Sequence, residues 1–179
     1  MSWPPLEIHF NPDACPQYIS SPSSVPLHCQ EQVKADLDRD VCMRVIDRWT
    51  GAIAWLLSGN TMALRAAVNL QPLNKYCRCK DWVTATPLKQ GQPVPKDLFM
   101  AVNNAWNGCH SVLLRILDQH LTSFITLWGH NCYCHNPQGF VGAGDGYNQH
   151  FDAVLTDFAH KESCNDNRIF WGKDLESHW

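Results

Sequence analysis

Residues 124–137 have the sequence FITLWGHNCYCHNP, in which an apolar run leads directly into a pair of cysteines. The run from Phe124 to Trp128 is rich in aromatic and β-branched residues and predicts a β-strand that continues into the cysteine segment. Side chains alternate along a strand, so Cys132 and Cys134 are expected on the same side of it. Two thiols on one side of a strand would supply half of a tetrahedral zinc site.

The sequence around this stretch predicts two helices before it, and one helix and one strand after it. Apolar residues recur at helical spacing over residues 97–106 and again over 112–121, which predicts a helix in each range. Gly142, Gly144 and Gly146 indicate a loop. A helix is then expected over 147–158 and a last strand over 169–171.

The N-terminal half begins with a long amphipathic pattern. From Gln30 to Leu57 apolar residues alternate with charged ones at helical spacing, which predicts one helix, broken near Gly51 and ended by residues 58–60. Short strands are expected over 62–70 and 82–86, on either side of Cys77-Arg78-Cys79. Helices and strands mix without a repeating strand–helix–strand order, so the fold class is predicted to be α+β.

Residues 1–27 form a distinct segment in composition. They hold six of the eleven prolines and five serines, which excludes a regular helix or a central strand and predicts an extended arm. Four apolar side chains could dock the arm onto the body: Trp3, Leu6, Ile8 and Phe10. The alternative is a flexible terminus. The predicted organisation is therefore an arm over 1–27 and a single compact α+β domain over 28–179, stabilised by zinc.

Composition limits the function classes. The 179 residues are 45% hydrophobic and carry a formal net charge of −3, which argues against a general nucleic-acid binder because such proteins usually carry a basic surface. The first basic residue is Lys34, so no secretory or transit peptide is expected, and the longest apolar run, 51–57, is too short to span a bilayer. The chain is expected to be an intracellular protein that is not secreted, with reduced thiols.

Nine cysteines and nine histidines raise the question of a metal. Cys109 and His110 lie at the predicted turn between two helices, where they could join Cys132 and Cys134 in a tetrahedral zinc site. Additional candidate ligands are Cys77, Cys79, His135 and Cys164. The alternative is that the thiols belong to a hydrophobic core, as buried cysteines commonly do, in a metal-free interaction module.

Enzyme signatures are few. The sequence has no phosphate-binding glycine loop and no zinc-deaminase pattern, so the chain is predicted not to be an enzyme. The alternative is a zinc-containing DNA endonuclease, because the segment from His130 to Pro137 resembles the His-Cys box of homing endonucleases. In that family the first histidine acts as a general base, a role that would fall on His130. The two cysteines stand closer together here than in that box, and Gln138 replaces its next histidine.

The order of features from about Trp82 to Trp171 resembles a second family, the adenoviral early-region-four 34-kilodalton proteins, as a short or divergent member. The matching features are Asp81-Trp82-Val83, the helix predicted over 97–106, Cys109-His110, Trp128 with Cys132, Cys134 and Pro137, the glycine-rich loop, and Asn167-Arg168-Ile169-Phe170-Trp171. The resemblance covers about half of the chain.

This resemblance implies a viral early regulatory adaptor without catalytic activity. Such proteins recruit a host cullin-based ubiquitin ligase through elongin B and elongin C, beside a large viral early-region-one-B partner, and redirect host protein degradation. The resemblance places the protein in the host cell nucleus and cytoplasm. It also implies zinc binding by Cys132 and Cys134, with Cys109 and His110 as further ligands.

Recruitment of elongin usually requires a small residue, a leucine, three spacers, a cysteine, three spacers and an aliphatic residue. The segment Pro72-Leu73-Asn74-Lys75-Tyr76-Cys77 fits this pattern until Asp81, which is charged. Such a box presents its leucine and cysteine to a hydrophobic groove. The favoured interpretation of this stretch alone is a turn leading into a strand.

Overall fold

The computed structural model describes residues 4–15, 18, 21–51, 57–62, 65–78, 99–104, 108–154, 161–164 and 167–172. Within them the helices are α1 (Gln30–Cys42), α2 (Gln71–Asn74), α3 (Ile116–Gln119) and α4 (Ala143–Val154). The strands are β1 (Ile46–Arg48), β2 (Leu57–Met62), β3 (Arg65–Val68), β4 (Phe99–Asn104), β5 (Phe124–Thr126), β6 (Gly129–Tyr133), β7 (Lys161–Cys164) and β8 (Asn167–Gly172). The α+β prediction is confirmed. None of the helices in the described part of the chain has the length and apolar character needed to cross a membrane.

The larger sheet has the strand order β1-β6-β5-β2-β3. The β5–β6 hairpin lies at its centre and pairs on one side with β1, where Ile46 is opposite Tyr133. On its other side, β5 pairs with β2 in parallel, and Leu57 is opposite Phe124. A separate antiparallel sheet has the order β4-β8-β7.

The helix predicted over residues 30–57 is wrong beyond Cys42. Helix α1 ends there, and Arg44 adopts a left-handed conformation with φ of 57° that turns the chain away from the helix axis. The β-branched residues Val45 and Ile46 then enter the sheet, where their side chains are buried. The segment that the pattern assigned to one helix therefore supplies α1 and β1, and its last residue, Leu57, begins β2.

The single strand predicted through residues 124–134 is also wrong, because the chain reverses at Gly129. This glycine has φ of 123°, a conformation that L side chains rarely adopt, and the chain returns as β6 antiparallel to β5. The Thr126 hydroxyl donates a hydrogen bond to the Gly129 carbonyl at 2.8 Å and closes the turn. The cysteine pair is consequently on the return strand, between β5 and β1.

Two predicted helices are replaced by other structure. Residues 99–104 form strand β4, which pairs along its whole length with β8, so tertiary pairing overrides the helical pattern there. Residues 112–115 are extended rather than helical, because their backbone bonds to Leu6 on one side and to Cys134 and Asn136 on the other. Only the short helix α3 remains of the second prediction.

The remaining sequence predictions have mixed outcomes. Helix α4 includes the predicted helical residues Tyr147 and Phe151, and β8 contains the strand predicted over 169–171. The predicted loop is wrong at Gly144 and Gly146, because α4 begins at Ala143 and both glycines lie in it. The strand predicted over 62–70 corresponds to β3, which pairs with β2. The strand predicted over 82–86 lies outside the described residues.

The hydrophobic core lies between α1, the larger sheet and the loops that precede α3 and α4. Its buried members are Ile8, Val45, Ile46, Leu70, Leu73, Leu114, Leu121, Phe124, Tyr133, Phe140 and Ala143. Helix α4 adds Tyr147, which is fully buried, and a Cβ atom at Gly108 would approach its ring to 2.7 Å. The lack of a side chain at Gly108 thus lets the turn that carries Cys109 and His110 pack against α4.

The N-terminal segment docks onto this core through backbone pairing. Leu6 bridges to Leu114, Phe10 bridges to Cys77, and Ile8 is buried in the core, as the docking prediction for these three side chains requires. Trp3, the fourth predicted contact, lies outside the described residues.

A buried carboxylate fixes the arm to the body. Asp118 is only 4% exposed and accepts a hydrogen bond from the Ile8 backbone N–H at 3.0 Å. Its two oxygens also accept hydrogen bonds from the Arg115 guanidinium at 2.9 and 3.0 Å, and Arg115 lies 3.4 Å from Glu7 of the arm. Asp118 therefore satisfies a buried amide that lies 110 residues away in sequence.

Replacement of Asp118 tests this attachment. We expect Asp118→Ala to lower the free energy of unfolding by about 1–3 kcal/mol, because the buried Ile8 N–H loses its acceptor. Asp118→Asn keeps a carbonyl acceptor, so its free energy of unfolding should fall by less than that of Asp118→Ala. Urea denaturation is the measurement, and Asp13→Ala, an exposed carboxylate of the same arm, is the control. Equal stability of the Asp118→Ala and Asp13→Ala proteins would contradict the assignment.

Candidate metal centre and exposed apolar surface

The thiols of Cys132 and Cys134 are brought together by β6. Cys132 is 1% exposed and lies opposite Asp47 of β1, while Cys134 follows the strand directly and donates its backbone N–H to the Val45 carbonyl at 2.9 Å. The two thiols share a hydrogen bond. The prediction that they lie on the same side of the strand thus agrees with their contact.

Both thiols are held in the protonated form by their surroundings. Burial raises the pKa of the Cys132 thiol to about 12, and the neighbouring Cys134 and Asp47 add to the effect. Burial and the Asp47 charge also raise the pKa of Cys134. A metal ion that binds here must therefore displace protons from both sulfur atoms.

The opposite face of the same strand carries a different group of side chains. Tyr133 packs its ring 5.5 Å from Phe124 and 6.4 Å from His110, measured between ring centroids. His135 follows on this side, and its Nδ1 lies 2.9 Å from the Arg44 carbonyl. Burial lowers the pKa of His110, and the nearby His135 contributes in the same direction. His110 is thus favoured as a neutral imidazole.

The alternation of side chains along β6 separates the two predicted pairs of ligands. Cys132 and Cys134 project to one side, while Tyr133 and the ring of His110 meet on the other. Cys109, on the 3-10 turn Gly108–Ser111, packs against the hydrophobic core. Among the residues that the structure describes, no group of three or more His, Cys, Asp or Glu side chains is placed to hold a metal ion. As they stand, the four predicted ligands do not form a tetrahedral set.

The additional candidate ligands are dispersed. Cys77 follows α2 and bridges to Phe10 of the arm, on a different element from β6. His135 lies on the histidine side of β6. Cys79 lies outside the described residues, and for Cys164 the structure describes only the backbone, in β7.

Asp40 is a residue of α1 whose surroundings the sequence pattern did not predict, since the pattern indicates only that it lies on the polar face of the helix. It is half-buried at the C-terminal end of α1, and burial raises the pKa of its carboxyl against the opposing influence of Arg39 and His110. It also acts on Tyr133, whose hydroxyl pKa is raised by burial and by the Asp40 charge. The signal available in the sequence was the position of Asp40 next to the apolar stripe formed by Val33, Leu37 and Val41.

His130, the base of the endonuclease alternative, occupies β6 opposite Ile125 of β5. It is half-buried, and its carbonyl accepts the Trp49 backbone N–H at 3.0 Å. Its position in the central hairpin is fixed by pairing on both sides of the strand.

A separate feature is an apolar triad, defined as Leu113, Ile116 and Leu117. Their exposed fractions are 55%, 81% and 73%. The backbone that carries them is firmly held, because Leu6 and Leu113 are joined by a hydrogen bond of 2.8 Å and the Leu114 N–H donates to the Cys134 carbonyl at 2.9 Å. Single exposed apolar residues are common, whereas three within five residues on a fixed backbone are a candidate contact surface.

Comparison with known proteins supports the fold but shows no family. No protein-family model matches the chain, and no curated protein matches it. A structure of the foamy viral protease-reverse transcriptase in complex with RNA/DNA hybrid is similar with a TM-score of 0.82 and 14% identity, covering 98% of this chain and 24% of that one. A structure of the same viral protein in complex with double-stranded DNA has a TM-score of 0.77 at 13% identity, and the match covers 98% of this chain and 31% of that one. A structure of a Prototype Foamy Virus protease-reverse transcriptase mutant has a TM-score of 0.80 at 11% identity, and the match covers 95% of this chain and 23% of that one.

At these identities the similarity concerns the fold alone. The chain spans between about a quarter and a third of the length of these three viral chains. The resemblance to the adenoviral early-region-four proteins stays a prediction, since the similar solved structures come from a different viral protein. The fold of the chain is thus similar to that of a segment of the foamy viral protease-reverse transcriptase.

Proposed function

We propose that the chain is a viral adaptor that acts by binding host proteins rather than by catalysis. The observation that carries the proposal is the apolar triad, which presents three large side chains on a fixed backbone. Burial of these side chains in a partner would contribute roughly 1.5–3 kcal/mol for each fully buried group. The adenoviral resemblance supplies the partner: a cullin–elongin ubiquitin ligase, in the host nucleus and cytoplasm.

The elongin pattern in the sequence does not provide this surface in the described conformation. Leu73 lies in α2 and is 0% exposed, packed in the core, and Cys77 is half-buried against the same core. A groove on a partner has no access to the Leu73 side chain without unfolding of this segment. The proposed contact is therefore the apolar triad, with the elongin pattern serving the core.

Capture of the ligase tests the adaptor proposal. Tagged protein should retain recombinant elongin B/C and cullin, and Ile116→Glu with Leu117→Glu should reduce capture at least about tenfold, since charge in a buried contact is costly. Leu27→Glu is the matched control, because Leu27 is 85% exposed and lies outside the triad. Circular dichroism checks that each variant is folded.

Two outcomes would count against the proposal. Absence of elongin and cullin from the wild-type capture would reject the ligase role. Equal capture by the triad variant and the wild type would remove the triad as the contact surface.

The proposal also includes zinc binding, because Cys132 and Cys134 place two thiols in contact. Cys132 and Cys134 supply two sulfur ligands in contact, and Cys109 and His110 would have to approach the same face of β6 to complete a tetrahedral set. Zinc in such a site would stabilise the fold on the order of 10 kcal/mol.

The raised thiol pKa values give this proposal a pH signature. Both thiols are protonated at neutral pH and must lose their protons to bind zinc, so the apparent zinc affinity should rise about tenfold per pH unit for each thiol released. Zinc titration from pH 6 to 8 measures the slope. The double variant Cys132→Ser with Cys134→Ser should lose binding, and Cys42→Ser, an exposed cysteine on α1, should retain it. Protein purified without chelator that contains no zinc and binds none would refute the site.

A second candidate function is cleavage of nucleic acid. The fold is similar to that of chains of a viral protease-reverse transcriptase, two of which were solved with double-stranded DNA or RNA/DNA hybrid, and this similarity favours the binding of nucleic acid that the candidate requires. In this candidate His130 is the general base, as in the His-Cys box.

The adaptor proposal expects no cleavage in a direct assay. Purified protein is incubated with Mg²⁺ and labelled duplex DNA or RNA/DNA hybrid, and products are resolved on a gel. Cleavage by the wild type that disappears in His130→Ala, but persists in the exposed control His28→Ala, would establish the endonuclease candidate instead.

A further inference from the structure

A short segment at the start of α1 carries three side chains that belong neither to the apolar triad nor to the thiol pair. Residues 27–31 have the sequence LHCQE, in which a leucine, a cysteine and a glutamate occupy alternate positions. Of the nine cysteines in the chain, Cys29 is the only one with a leucine two residues before it and a glutamate two residues after it. In an extended backbone, Leu27, Cys29 and Glu31 would project to one side with a spacing of about 6–7 Å.

The outer two of these side chains are open to solvent. Leu27 is 85% exposed, the highest value among the large apolar side chains in the described part of the chain, and Glu31 is also exposed. Lys34, three residues after Glu31, pairs with Asp38 at 2.6 Å. Cys29, between the two, is half-buried. The segment therefore presents an apolar side chain and a carboxylate that a partner can reach.

The segment is helical in the folded chain, but few interactions hold it in that form. Residues 27–29 form a single 3-10 turn, and α1 follows from Gln30. Neither the turn nor the helix is capped by a side chain at its N-terminus, and neither contains a buried residue. Leu37 and Val41, which pack α1 against the core, lie further along the helix. Unwinding of residues 27–31 would thus break a few backbone hydrogen bonds without exposing the core, as is usual for local opening at a helix end.

We propose that Leu27, Cys29 and Glu31 dock into a groove on a protein partner, with residues 27–31 in an extended conformation. The groove has the chemistry that these side chains require: an apolar pocket for the leucine, a narrow apolar pocket for the cysteine, and N–H groups or a cation for the glutamate carboxylate. Extended peptides are recognised in this way through alternate side chains, and a carboxylate forms the stronger, charge-assisted hydrogen bonds. The contact goes beyond the ligase proposal, because it uses no residue of the apolar triad.

Direct binding to a groove of this chemistry tests the proposal. The probe is the recombinant pocket domain of the retinoblastoma protein, which binds peptides of the pattern Leu-x-Cys-x-Glu, and calorimetry measures its binding to the full chain. We expect a Kd in the micromolar range. Leu27→Ala and Glu31→Ala, made separately, should each weaken binding at least about tenfold, because each removes an anchoring group. Met43→Ala is the matched control, because Met43 is 65% exposed at the other end of α1. Circular dichroism checks that each variant is folded.

The conformation of the segment in the complex gives a second measurement. Backbone NMR shifts of residues 27–31 should move from helical to extended values when the pocket domain is added, while those of residues 37–42 stay helical. Contact through any other surface of the chain would leave residues 27–31 helical. This measurement therefore separates docking of the segment from an effect of the substitutions on stability.

The proposal is overturned by any of three results. These are no binding of the wild-type chain to the pocket domain, wild-type affinity in Leu27→Ala or Glu31→Ala, or a complex in which residues 27–31 stay helical. Failure of the ligase capture would leave this proposal standing, because the two contacts share no residue.

Discussion

The pairing of β1 with β6 is the interaction on which the rest of the structure depends. It sets Ile46 opposite Tyr133, and the Val45 carbonyl just before β1 accepts the N–H groups of Cys134 and His135 at 2.9 and 3.3 Å. These few bonds hold the cysteine pair and fix the buried ring of Tyr133. They also place the end of α1 over the sheet, so that Asp40 comes near His110. Loss of this pairing would separate Cys132 from Asp47 and Tyr133 from Ile46.

The two-residue alternation of β6 divides the chemistry of the protein between two faces. Cys132 and Cys134 lie on one face, and Tyr133 with the ring of His110 lies on the other. The two-residue spacing brings two ligands of one strand together, but it leaves ligands that approach from the opposite side of the strand out of reach. Tyr133 contributes to the hydrophobic core, while Cys132 is buried next to Asp47. The two faces of one strand therefore have different surroundings.

The sequence predicted those parts of the fold whose pattern is local. The apolar stripe around Tyr147 predicts α4, and the run at residues 169–171 predicts β8, because each pattern is contained within one element. The long helix over residues 30–57 could not be corrected from the sequence, since its periodicity continues past Arg44 and only the left-handed backbone at that residue ends it. Strand β4 is likewise specified by its partner β8, which lies more than sixty residues away. The contact of Cys132 with Cys134 followed from strand geometry, whereas the position of His110 depended on a hairpin that the apolar pattern did not indicate.

The attachment of the arm has a consequence for how the protein is made. Translation delivers Ile8 first, and the carboxylate of Asp118 that satisfies its backbone N–H emerges 110 residues later. Strand β1 must similarly wait for β6 before it has a partner. Local helix α1 can form early on the ribosome, but contacts between distant residues close slowly and leave apolar segments exposed until then. We therefore expect chaperones to bind the nascent N-terminal half until the hairpin of β5 and β6 has left the ribosomal tunnel.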